Sequence, residues 1–306
     1  MMKRRLAAIC LSLTGFTLAL APSSVAQAAV APQTSAGTKT PQQISDQLDV
    51  ILAAEKPLGS DQWRADRLAQ SPRRHEIAKI TGGPRTLQAF VVHPTTKDPV
   101  PVVLMLTEDQ GITNWSRDIA DQIAAMGYIV VVPDLLSGYG PNGGGQDAFP
   151  DLKSSMTARQ YLKEDGMIAD QNAWADWSEK LTQFNGKLAV VGFAWGAGRA
   201  FWFATQRKDL TAAFIFYDWA PPASALAGIT APVFGFYAEN DTRVEKTLDA
   251  TKATMAQLRK KYEQTIYPGS DHMFVRLGEE AGNTNAANIE ARALSMARLQ
   301  QLLKNM

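Results

Sequence analysis

The sequence predicts one α/β domain built on a mainly parallel sheet. Three observations carry that reading. Several strands are continuously apolar rather than alternating, amphipathic helices separate them, and the residues capable of chemistry fall just past strand ends. Strands buried on both faces lose the alternating pattern, which is the signature of a parallel sheet covered by helices on each side.

The elements follow in order. Ile44, Leu48, Ile51 and Leu52 recur at helical spacing across Pro41–Glu55, and Pro41 suits a first helical position. HEIAKIT (75–81) and TLQAFVVH (86–93), joined by Gly82-Gly83-Pro84, read as a leading antiparallel hairpin. PVVLML (101–106) and YIVVVP (128–133) are buried strands on either side of a helix over Trp115–Met126. Trp174, Trp177, Leu181 and Phe184 predict a helix over Ala173–Phe184. KLAVVGF (187–193), AAFIFYD (212–218) and PVFGFYA (232–238) are three further buried strands, and EQTIY (263–267) is the last. Helices are expected over Gly196–Gln206, Val244–Arg259 and Asn285–Leu303. No internal repeat and no second domain are evident, so the domain spans 41–306.

The N-terminus reads differently. Lys3, Arg4 and Arg5 precede the apolar run LAAICLSLTGFTLAL, and Ala26-Gln27-Ala28 has the small-x-small form of a cleavage site. This is the pattern of an export signal spanning 1–28, followed by a small, polar linker over 29–40. The expected location is secreted or periplasmic, with no membrane insertion after cleavage. Cys10, the single cysteine, lies inside this segment, so thiol and disulfide chemistry are not expected of the mature chain. Loss of the three basic residues tips the balance of 31 basic and 30 acidic residues to about −2, which predicts no nucleic-acid partner. No His/Cys/Asp group has metal spacing, the glycine-rich stretch Leu135–Phe149 lacks the phosphate-loop pattern, and no cofactor is expected. Composition leaves the oligomeric state open.

In a parallel sheet, ligands bind beyond the carboxyl ends of the strands. VVGFAWGAG, Val190–Gly198, runs from strand to glycine turn to helix, the form of a nucleophile elbow. Its centre is Ala194, whose methyl group cannot attack anything. Asp241 follows the strand 232–238 and His272 follows 263–267, giving the order elbow, acid, histidine of the α/β-hydrolase fold. Asp218, after the preceding strand, competes as the acid. His75 and His93 fall on the hairpin, where surface or strand-end roles are expected, and Arg73-Arg74 and Lys260-Lys261 read as solvated surface.

From Ser71 onward the chain resembles the dienelactone hydrolase family, especially its secreted bacterial members. The resemblance rests on Glu108, DIADQIAAMGYIVVVPDLLSGYGPNGGG, VVGFAWGAG, APVFGFYAENDTRV and YPGSDHMFVR. It implies Asp241 as acid, His272 as base and position 194 as the nucleophile's place. It further implies an oxyanion hole from the backbone N–H groups of Trp195 and Asp109, a modulating Glu108 beside the nucleophile, and Arg276 as a binder of substrate carboxylate. Two departures matter: G-F-C-W-G-G becomes G-F-A-W-G-A, so Ala197 also replaces a glycine, and Thr107-Glu108 stands for His-Glu. Ala194 leaves open a hydrolase of small esters or lactones that uses His272-activated water, a binding protein for a small carboxylate or hydrophobic ligand walled by Trp115, Trp195 and Trp219, and a trapped form of a cysteine enzyme.

Overall fold

The computed structural model describes residues 40–54, 61–81 and 83–306. The export signal, nearly all of the linker, and Gly82 of the hairpin turn lie outside the described residues. From Thr40 onward the chain forms one compact unit.

Eight strands make a single sheet: β1 (Arg74–Ile80), β2 (Leu87–His93), β3 (Val100–Leu106), β4 (Ile129–Asp134), β5 (Phe184–Phe193), β6 (Ala212–Phe216), β7 (Val233–Ala238) and β8 (Tyr262–Tyr267). Their order is β1-β2-β4-β3-β5-β6-β7-β8. The β1–β2 and β2–β4 pairs are antiparallel, and every pair from β4 to β8 is parallel. All the loops that carry the elbow, the acid and the histidine therefore leave the same edge.

The helices are α1 (Pro41–Ala54), α2 (Gln62–Ala69), α3 (Asn114–Ala125), α4 (Leu152–Arg159), α5 (Glu164–Ser178), α6 (Trp195–Gln206), α7 (Ala223–Leu226), α8 (Thr242–Gln257), α9 (Phe274–Leu277) and α10 (Ala286–Lys304). On one face of the sheet Val103, Met105, Val130, Val191, Phe214 and Phe216 pack with Ile119 and Ile123 of α3 and Leu299 of α10. On the other face Val102, Leu104, Val131, Val190 and Ile215 pack with Trp174 of α5 and Phe201 of α6. Each fully buried side chain of this size stabilises the fold by about 1.5–3 kcal/mol, and burial on both faces explains the unbroken apolar strands.

The expected helix over Ala173–Phe184 lies earlier in the structure. It begins at Glu164, where Glu164 and Asp165 complement the helix dipole, and ends at Ser178. Leu181 stands in the following turn and Phe184 opens β5, so the four apolar residues bridge a helix and a strand. Helices α2, α4 and α9 have too few apolar repeats to stand out in the sequence. Trp115 is buried against Phe193, ring centroids 5.4 Å apart, so it is a core residue and not a pocket wall. Arg73 is not solvated surface: it joins His75 and Ser71 on the Asp121 carboxylate. His93 is buried and bonds Glu76 at 2.9 Å.

Candidate active site

The elbow is built by close packing. Ala194 links β5 to α6 at φ 46°, ψ −123°, a backbone region costing a non-glycine residue about 1–3 kcal/mol. The flanking glycines allow it. A Cβ on Gly192 would lie 2.3 Å from the Gly196 carbonyl oxygen, and one on Gly196 would lie 2.3 Å from Thr107 O and 2.4 Å from Leu106 O. The start of α6 thus presses directly on the end of β3. The Ala194 N–H donates to Phe216 O at 3.1 Å, tying the elbow to the end of β6. Its methyl group is 3% exposed, in the apolar cluster with Phe193, Tyr217 and Phe274.

Asp241 and His272, expected as acid and base, lie side by side. His272 Nδ1 and Asp241 Oδ2 are 2.6 Å apart. Asp241 also caps α8, accepting from Val244 N, so its carboxylate is held from two sides. Burial pushes its pKa up, but the hydrogen bond and charge of His272 outweigh burial and hold it below the usual carboxylate range. The His272 side chain is 30% exposed, and the Tyr217 ring meets it edge-on at 5.3 Å. Asp218, the competing acid, faces elsewhere: its carboxylate accepts from Gly198 N at 3.2 Å and Trp219 N at 2.9 Å, and burial pushes it up to about 6.

The loop after β3 carries the second half of the site. Glu108 is 2% exposed, within 3.5 Å of Arg276 Nη1 and 3.4 Å of the Tyr217 hydroxyl, which donates to it. Burial raises the Glu108 carboxyl, against the pull of Arg276 and His272. Arg276 is 4% exposed in α9, and its Nε donates to Glu280 at 3.2 Å. A substrate carboxylate would have to compete with Glu108 and Glu280 for that guanidinium.

Asp109, next in this loop, is half-buried, with its carboxyl raised by burial against the charges of Arg159, His272, Arg243 and Arg199. Trp195 occupies the first position of α6, where helix geometry supplies no acceptor for its N–H. Arg159 donates to Asp109 O and, at 3.0 Å, to Gln146 Oε1. Gln146 in turn accepts from Ile112 N and donates to Gln110 O, both at 3.0 Å. The glycine-rich stretch therefore docks on the loop bearing Asp109. Trp195 lies under two guanidinium groups, Arg159 at 5.5 Å and Arg199 at 5.4 Å. Trp219 is 43% exposed beneath Arg243, whose guanidinium sits 4.5 Å from the ring. Among the described residues no cluster of His, Cys, Asp and Glu could hold a metal ion. A cavity of about 430 Å³ lined by Ile80, Pro84, Leu87, Tyr139, Ala169 and Ala173 includes neither the elbow nor the dyad.

Comparison with known proteins decides the family. The dienelactone hydrolase family model matches residues 87–306. The chain belongs to the dienelactone hydrolase family. A relative in Escherichia coli K12, provisionally named a carboxymethylenebutenolidase, is 26% identical over 226 residues, covering 69% of this chain and 82% of its own. A Salmonella typhi protein with the same provisional name is 27% identical over 211 residues, covering 65% and 77%. Among solved structures, a provisionally assigned dienelactone hydrolase from Klebsiella pneumoniae aligns with TM-score 0.63 and 19% identity, covering 74% of this chain and 97% of the other. At that identity the likeness establishes the fold, an α/β-hydrolase sheet with helices on both faces.

The strand-end geometry assembles the elbow, Asp241 and His272, with Glu108 and Arg276 paired behind Tyr217. Sequence reasoning missed Tyr217, Arg159 and Gln146. Tyr217 lies inside what reads as a continuous strand, and its left-handed backbone, φ 48°, is what swings it toward His272 and Glu108. Nothing in AAFIFYD announces that turn. Gln146 did lie in the glycine-rich stretch, whose composition places a loop near the site without naming a contact.

Proposed function

We propose that the protein is a slow ester or lactone hydrolase in which water takes the place of the missing nucleophile. The observation that carries this reading is the 2.6 Å His272–Asp241 pair on a partly exposed imidazole. In the proposed step His272 Nε2 removes a proton from a water, the hydroxide adds to the substrate carbonyl, and the N–H groups of Trp195 and Asp109 receive the oxyanion. Collapse of the tetrahedral species breaks the C–O bond, and His272 returns the proton to the leaving oxygen. No acyl-enzyme forms. Where a serine protease loses its triad, about 10³–10⁴ of rate enhancement over water survives through binding and the oxyanion hole, and the general base His272 is expected to act on top of that floor. The test is hydrolysis of a short p-nitrophenyl ester and a dienelactone by the protein, with His272→Ala alongside. A rate unchanged by His272→Ala defeats the proposal.

A second reading, a non-catalytic binding protein for a small carboxylate or hydrophobic ligand, is favoured by a different observation: the Ala194 methyl is buried in an apolar cluster. Thermal shift across aromatic and lactone carboxylates tests it, and no shift with any of them counts against it. We also propose export, on the basic, apolar and small-x-small pattern of residues 1–28. The mass of the chain recovered from the cell envelope and medium tests this, a mature N-terminus near residue 29 being expected.

A further inference from the structure

Asp271 stands beside His272, and Asn240 stands beside Asp241. These neighbours bond each other: Asn240 Nδ2 donates to Asp271 Oδ1 at 2.9 Å. The Asn240–Asp271 contact thus runs parallel to the Asp241–His272 contact, one residue back on both loops. The other carboxylate oxygen, Oδ2, accepts from Asn285 Nδ2 at 2.7 Å and Asn288 Nδ2 at 2.9 Å, while Asn288 Oδ1 accepts from the Asp271 N–H at 2.8 Å. Asn285 is the N-cap of α10 and Asn288 lies in its first turn, so the histidine loop is bolted to the longest of the described helices. Two bonds from backbone N–H groups finish the join. Asn240 N donates to Ser270 O at 3.0 Å, and Glu239 Oε2 accepts from Gly269 N at 2.8 Å.

We infer that Asp271, with Asn240, Asn285 and Asn288, is a positioning device that sets the His272–Asp241 distance. The inference rests on the dyad role proposed above. Three amide donors from two different elements converge on one carboxylate next to the base, and that carboxylate can satisfy all three only because it accepts at both oxygens. An amide at 271 has one acceptor oxygen and turns two N–H groups toward donors. Burial raises the Asp271 carboxyl, yet the three asparagine donors outweigh it and hold it below the usual range, consistent with an acceptor that stays ionised. Met273 immediately follows His272 with a left-handed backbone, φ 62°.

The experiment reads the dyad without needing turnover. In the full chain, the Nδ1–H proton of His272 is expected as a downfield imidazole resonance, identified by its absence in His272→Gln. Asp271→Asn and Asn240→Asp are expected to shift it upfield or lose it to solvent exchange, and Asn240→Ala to weaken it. In the Ala194→Cys background the same substitutions should lower kcat about tenfold with KM within about twofold, since small displacements of a base cost rate more than binding. Asn240→Ala removes only an exposed amide and keeps the test alive if Asp271→Asn does not fold. An unchanged resonance in Asn240→Asp and Asn240→Ala overturns the inference, as does absence of the resonance from the native chain. If the resonance behaves as expected but no ester is hydrolysed, the positioning device stands and the hydrolase reading falls.

Discussion

The elbow and the dyad leave the same edge of one sheet, yet they are preserved by different forces. The elbow is held by contact. Gly192 and Gly196 admit no Cβ, and the start of α6 bears on the carbonyl groups that end β3. None of that packing needs a nucleophilic side chain, so the strained backbone at 194 persists around a methyl group. The dyad is held by side-chain carboxylates: Asp241 bonds His272 and accepts from the Val244 backbone N–H, and Asp271 bonds its asparagines. The elbow's backbone packing does not depend on the side chain at 194, whereas a hydrogen-bonded pair persists only as long as its side chains do.

The largest expected effect tests whether the elbow is complete but for one group. Ala194→Cys should raise kcat/KM for a short activated ester by at least about 10²-fold, with a ceiling near 10⁶ set by what nucleophile loss costs a serine protease. Steady-state assays check it, and no gain would mean that the surrounding packing is not that of a working site. Next, His272→Ala should lower the hydrolysis of the native chain by about 10²–10⁴, the range of a general base, read by the same assay. Third, Gly196→Ala should destabilise the fold by about 1–3 kcal/mol through overpacking against β3, measured by urea unfolding, while leaving the His272 imidazole resonance in the protein that remains folded.

A pH experiment separates the dyad from the elbow. The folded-state pKa of Asp241 lies below its unfolded value, so its stabilisation is complete above the ordinary carboxylate range near pH 4 and is lost as pH falls through the lower folded value. Urea unfolding between pH 7 and pH 3 should show a shallower acid loss for Asp241→Asn than for the native chain. The smallest effect belongs to the elbow backbone. Ala194→Gly should stabilise by about 1 kcal/mol or less, because glycine accepts the positive φ while gaining freedom in the unfolded chain, and thermal unfolding reads it.

Much of this architecture was legible in the chain. Unbroken apolar runs in β3 to β7 announced a sheet buried on both faces, and glycines two residues either side of Ala194 announced close packing at a turn. The order elbow, Asp241, His272 anticipated that the last two would lie together. The helix α5 was misplaced because Leu181 and Phe184 continue its apolar spacing by coincidence, one in a turn and one in a strand. Arg276 shows a different gap. The family resemblance implied a binder of substrate carboxylate, while folding sets it between Glu108 and Glu280, carboxylates far apart in sequence from each other.

The sequence by itself determined the sheet, the strand-end loops and the absence of a nucleophile at 194, because periodicity, glycine spacing and side-chain identity are local properties. Only the tertiary structure decided that Asp241 rather than Asp218 reaches His272, that Tyr217 turns toward Glu108, and that three asparagines meet on Asp271. Each of those depends on directions in which side chains leave loops, and these are set by packing between segments that the linear order keeps apart.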